Sequence, residues 1–278
     1  MSGRSGRADA AREGMYNMKR ALLLVGVAIA LAAPAVAQTA AGPSVPPLVL
    51  EPEAEAALSR MGASLRAMKS FEVVSDATFE RVYPGNHKLQ SQLRTTYLVQ
   101  FPNNMLVDVR GDNAHRRVYY DGSRMSVVGV KAGKYVTFPV SGSIADVLAA
   151  AYEDFGLDFP LQDLFRWGDA SATVGRPTAG YRIGESIIGD QKVTHYAFTQ
   201  PGVDFQVWLD EMGTQALPRK MVITNTEDAA QPQYVAYFRW NQAPDIKPGA
   251  FTFTPGPKDQ LIDFGTAKSA GAAKKAAL

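Results

Sequence analysis

The residues able to do chemistry are few and scattered. His87, His115 and His195 are the only histidines, and no two of them stand at metal-ligand spacing or in an H-E-x-x-H frame. His195 sits beside Tyr196 in a strand-like run, where a hydrogen-bonded structural histidine is the expected state. Asp108, Asp112 and Asp121 cluster at turns, where aspartate bonds nearby backbone. The chain has no cysteine, which excludes thiol nucleophiles, thiolate metal sites and a disulfide framework. No nucleophile elbow G-x-S-x-G, phosphate-cradling loop or dinucleotide fingerprint is present. A carboxylate pair assembled by the fold stays open, although none stands out along the chain. No catalytic residue, cofactor or metal is therefore expected, and function rests on shape and lining.

The elements that set shape and lining begin at Phe71. Phe71, Val73, Ser75, Ala77 and Phe79 alternate with Glu72, Val74, Asp76, Thr78 and Glu80, and the same parity returns at Leu93, Thr95, Tyr97, Val99 and Phe101. That is the period of a sheet with one dry face. The pattern resumes at Met105, Val107 and Val109 and again through Arg117–Tyr120. Turn signals separate the runs at Pro84-Gly85-Asn86, Pro102-Asn103-Asn104, Gly111-Asp112-Asn113 and Asp121-Gly122.

The N-terminal region reads as a leader. Met18-Lys19-Arg20 precedes an apolar run from Ala21 to Ala33, too short for the roughly 20 residues that span a bilayer. Ala35-Val36-Ala37 supplies the small residues of a cleavage site, so residues 1–37 are expected to be a cleaved secretory signal and the destination the periplasm. Met15 and Met18 stand closer to the apolar run than Met1, which makes residues 1–17 an over-long start or an extension that nothing asks to fold. Without residues 1–37 the chain keeps 24 basic and 25 acidic residues, so its basic character belongs to the leader. Nothing electrostatic then points to nucleic acid. No cysteine follows the cleavage site to carry a lipid, and no membrane-spanning segment is expected after cleavage.

Residues 38–50, with Pro43, Pro46 and Pro47, read as an extended linker, and 51–265 as a single domain followed by an Ala/Gly/Lys tail, 266–278. Ala54, Ala57, Leu58, Met61, Leu65 and Met68 give Glu51–Ser70 one apolar helical face. Ile144, Val147, Leu148, Ala151 and Tyr152 mark a second helix, with Ser143 as its N-cap and Asp146 three residues on. Leu161, Leu164, Phe165 and Trp167 then concentrate large apolar side chains between Gly156 and Gly168, a segment that either closes over a cavity as a lid or plugs the core permanently.

Strands return from Tyr181, with hairpin turns at Gly189-Asp190 and Pro201-Gly202. Counting runs gives about nine to eleven strands in one sheet, more than an open twisted sheet usually carries without curling. The fold class is thus mainly β with flanking helices, a curved, unclosed antiparallel barrel. Phe79, Tyr97, Val99, Phe101, Met105, Val107, Phe205 and Val207 are the expected walls of a hydrophobic cavity; the alternative is that they form a solid core.

Several short segments occur in a specific order: Tyr119-Tyr120-Asp121-Gly122, Phe159–Phe165, Asp204–Leu209, Leu217–Thr224, and Arg239-Trp240-Asn241 before Phe251-Thr252-Phe253. From about Leu58 to Phe264 the chain resembles the domain of unknown function 2092 family of predicted periplasmic proteins. That family looks related in fold to the LolA and LolB lipoprotein carriers, which implies an unclosed barrel of about eleven strands with helices as a lid over a hydrophobic cavity. The expectation is a soluble periplasmic carrier for a lipophilic ligand, with a lipid or a lipid-modified protein as partner. The alternatives are an envelope interaction protein holding no small ligand and, third, an envelope hydrolase whose polar cluster would gather around His195.

Overall fold

A computed structural model describes residues 48–112, 114–155, 176–212, 215–263 and Gly265. Pro52 opens helix α1 (Pro52–Ala67), with Glu53 and Glu55 in the first turn and Arg66 in the last, the arrangement the helix dipole favours. The helix ends three residues before the expected Ser70, because Met68 is already extended and leads into the sheet. Six antiparallel strands follow: β1 (Ser70–Tyr83), β2 (His87–Gln100), β3 (Asn104–Gly111), β4 (His115–Tyr120), β5 (Arg124–Gly129) and β6 (Lys134–Pro139). Helix α2 (Ile144–Phe155) separates them from β7 (Ala179–Ile188), β8 (Gln191–Gln200), β9 (Val203–Asp210), β10 (Leu217–Asn225) and β11 (Gln233–Asn241).

These eleven strands form two meanders joined where β1 pairs with β11. A twelfth, β12 (Gln260–Leu261), lies parallel to β6 at one edge, and β7 forms the other, so the sheet stays open. The parallel strand was not legible in sequence, since two residues show no period. The Gly189-Asp190 and Pro201-Gly202 turns are two-residue loops, closed by Ile188↔Gln191 and Gln200↔Val203. The expected Asp121-Gly122 turn is longer: Asp121–Ser123 lie between β4 and β5, whose last pair is Tyr120↔Met125, and the Asp121 carboxylate accepts the amides of Ser123 and Arg124.

Register turns the alternation into rows across one face. Trp240, Val73, Tyr97, Val107, Val118, Val127 and Val136 are successive partners, and Phe71, Val99, Met105, Tyr120, Met125 and Phe138 form the next row. Both rows belong to one hydrophobic core that also includes Met61 and Leu65 of α1 and Ile144, Val147 and Leu148 of α2. The helices therefore cover the concave face of the sheet, which satisfies the dry side of the period-two pattern.

Polar contacts fix each helix. Arg60 pairs with Glu211, which also accepts the Tyr196 hydroxyl at 3.0 Å, and Ser64 Oγ accepts the Ala216 amide at 2.8 Å. At α2 the Ser143 hydroxyl accepts the Asp146 amide while Asp146 accepts the Ser143 amide, the reciprocal cap anticipated from sequence. Tyr120 donates to the Gly142 carbonyl at 2.8 Å, tying the start of α2 to the sheet. The last residues of the expected linker are not free: Glu51 N donates to Gly180 O at 2.9 Å and Gly180 N to Val49 O at 3.0 Å, covering the β7 edge.

Candidate ligand-binding cavity

A cavity of about 380 Å³ opens between the sheet and the two helices. Phe71, Val73 and Ser75 of β1 form its floor, flanked by Tyr97 on one side and by Phe238 and Trp240 on the other, as the registers dictate. Leu65 and Arg66 from the end of α1, Ser143, Ile144 and Ala145 from the start of α2, and Phe101 and Pro102 after β2 complete the lining. Phe71 packs between Phe101 and Trp240, with ring centroids 6.1 and 5.4 Å away. A polar depression adjoins this end, sharing Arg66, Phe101 and Pro102 and adding Lys69 and Gln100.

The Leu217-Pro218-Arg219-Lys220 segment holds one wall in place. A bulge interrupts the β9–β10 register between Pro218 and Lys220, and the Pro218 carbonyl there accepts the Trp240 indole at 2.8 Å. Arg219 clamps Asp210 at 2.6 Å. On the convex side the Lys220 ammonium lies 4.4 Å from the Trp208 ring and 5.2 Å from that of Tyr237. Both charges of this segment are thus engaged, Arg219 by a carboxylate and Lys220 by two rings.

Of the eight expected wall residues, Tyr97 and Phe101 line the cavity. Val99, Met105, Val107, Phe205 and Val207 are on the concave face but packed within the core. Phe79 lies beyond that core, with the Arg81 guanidinium 5.0 Å from its ring. Leu161, Leu164, Phe165 and Trp167, the expected lid, lie outside the described residues. Trp240 and Phe238 were missed, although their alternation with Arg239 was a readable sign of one dry face.

The concave face also carries polar groups. Ser75 and Thr95 are cross-strand partners, each 1% exposed, and neither hydroxyl has a hydrogen-bond partner among the described residues. The row continues through Val109 to Arg116. Arg116 shares the face of Val118 and Tyr120, is partly buried, and makes no ion pair or hydrogen bond with any described residue; burial lowers its pKa. An unpaired guanidinium in such a place is costly to hold.

The chemistry-bearing residues noted in sequence lie elsewhere. His195 stacks on Trp208 at 4.0 Å and bonds the Gln206 amide oxygen at 3.0 Å, and burial, with Lys220 nearby, holds its pKa below the usual histidine value. Its partners are an amide and an indole, so the polar cluster a hydrolase would need there is not formed among the described residues. Asp108 accepts from Arg110, His115 and Arg117; burial pushes its pKa up, but these bonds outweigh it and hold the value at about 2. No group of three His, Asp or Glu able to hold a metal occurs among the described residues.

Sheet, helices and cavity together define an open half-barrel with a sheltered, mostly apolar interior. The chain belongs to the DUF2092 family, described as predicted periplasmic protein, whose model matches residues 54–265. No curated protein matches it. Its structure is distantly similar to LprF from Mycobacterium bovis (13% identity, 73% of this chain and 99% of that one, TM-score 0.41). It is likewise similar to lipoprotein LppX from Mycobacterium tuberculosis (14%, 69% and 99%, 0.39) and to a LolA superfamily protein from Nitrosomonas europaea (12%, 72% and 97%, 0.35). No helix among the described residues is long and apolar enough to cross a membrane.

Proposed function

We propose that this is a periplasmic binding or carrier protein for a lipophilic ligand, an acyl chain carried by a lipid or a lipid-modified protein, exported by cleavage after Ala37. The observation that supports it is the cavity itself: about 380 Å³ walled by Phe71, Val73, Tyr97, Phe238 and Trp240, within the size range of small-molecule sites. A solid concave face would have favoured an interaction protein without a small ligand. At roughly 30 Å³ per water-sized group the space takes on the order of a dozen methylenes. Burying these at about 0.8 kcal/mol each supplies roughly 10 kcal/mol before the costs of association.

Native mass spectrometry of the mature protein from a periplasmic extract, followed by organic extraction, tests this reading. A stoichiometric co-purifying lipid is the expected result and names the ligand class. A clean apo mass, unchanged after incubation with fatty acids, phospholipids and lipopeptides, would overturn it.

A further inference from the structure

The cavity is not apolar throughout. Ser75 closes the end away from Phe101 and Pro102, and Thr95 is its partner on β2. Two hydroxyls that are 1% exposed and have no partner among the described residues call for a reason, because a buried donor or acceptor left unmade costs about 1–3 kcal/mol. Arg116 stands in the same row two strands beyond Thr95, about 9.5 Å away at the usual strand spacing. The intervening residue, Val109, has a short apolar side chain that competes for none of these groups. A guanidinium on its flexible stem and an anionic oxygen beside Thr95 together bridge that gap.

We infer that Ser75, Thr95 and Arg116 form an internal head-group site, and that the ligand is an anionic amphiphile bound with its carboxylate or other acidic oxygens inward and its chain along Val73, Tyr97 and Trp240. The inference rests on the carrier reading and deepens it. The ligand supplies acceptors for both hydroxyls and a counter-charge for the arginine, whose lowered pKa is the mark of a cation held in a poorly solvated place. Arg116 chooses the charge of the head, and the hydroxyl pair fixes where its oxygens lie.

Dodecanoate and dodecanol, equal in chain length, separate these roles by isothermal titration calorimetry. Wild type is expected to bind the acid at least tenfold more tightly than the alcohol. Arg116→Met is expected to erase that preference while keeping alcohol binding, and Ser75→Ala with Thr95→Val to weaken both ligands severalfold. Because the groups have no partner among the described residues, both variants should melt no lower than wild type; a clear fall in Tm would show a structural role and overturn the inference. Equal binding of acid and alcohol by wild type, or a preference that survives Arg116→Met, would overturn the head-group site and leave the carrier reading standing. Binding of neither probe, in protein shown to be free of lipid, would count against both.

Discussion

Trp240 offers the sharpest test of how the cavity is held open. Its ring faces Phe71 at 5.4 Å, its indole N–H reaches the Pro218 carbonyl at 2.8 Å across the β10 bulge, and one of its faces looks into the void. Trp240→Phe removes the indole bond to the Pro218 carbonyl, a loss of about 1–1.5 kcal/mol. The smaller ring adds a little, so about 1–2 kcal/mol is expected. Trp240→Ala also removes the aromatic contact with Phe71 and most of the wall. A fully packed tryptophan truncation costs about 3–5 kcal/mol, and the lower end applies because one face already borders open space and fewer neighbours lose contacts. Urea unfolding of both variants should show lower midpoints with unchanged slopes. If Trp240→Phe were neutral and Trp240→Ala cost under about 1 kcal/mol, the indole would not be anchored at the bulge and the account of this wall would fail.

Two further perturbations reach the rest of the sheet. The Asp108 carboxylate, lowered from the usual 3.8 to about 2, stabilises the fold above its unfolded pKa, and that contribution fades as pH falls from about 4 through 2. Asp108→Asn should cost about 1–2 kcal/mol at pH 7, a shift of this size being discounted because Arg110 is 58% exposed, and the gap to wild type should close in acid; a pH-independent gap would refute the linkage. At Gly180 a Cβ would lie 2.6 Å from the Phe198 ring and 2.7 Å from Leu50, and Phe198 is stacked on Phe205 and cannot yield freely. Gly180→Ala should lower stability by about 1–3 kcal/mol in thermal unfolding, and a neutral result would mean that the β7 edge is looser than the packing of Leu50 implies.

The sequence by itself determined the sheet. Period-two alternation is a local property of an extended backbone, so the parities at Phe71–Phe79 and Leu93–Phe101 marked one dry face on each strand, and the fold then pairs Phe71 with Val99 and Val73 with Tyr97. Helix boundaries followed to within a few residues from the apolar spacing between Ala54 and Met68 and from the Ser143/Asp146 cap, which are likewise local signals. Tertiary structure alone decided which dry-face residues border empty space. Val99 and Val107 are indistinguishable in pattern from Val73, yet they meet packed neighbours while Val73 meets the void, because the two helices cover the sheet unevenly. The β1–β11 pairing brings Phe238 and Trp240 from the far end of the chain, and the bulge at Pro218 aims the indole; neither has a local signature. Ser75, Thr95 and Arg116 looked like ordinary strand residues until register placed them in one row, since whether a hydroxyl or a guanidinium finds a partner depends on what the other strands bring within reach.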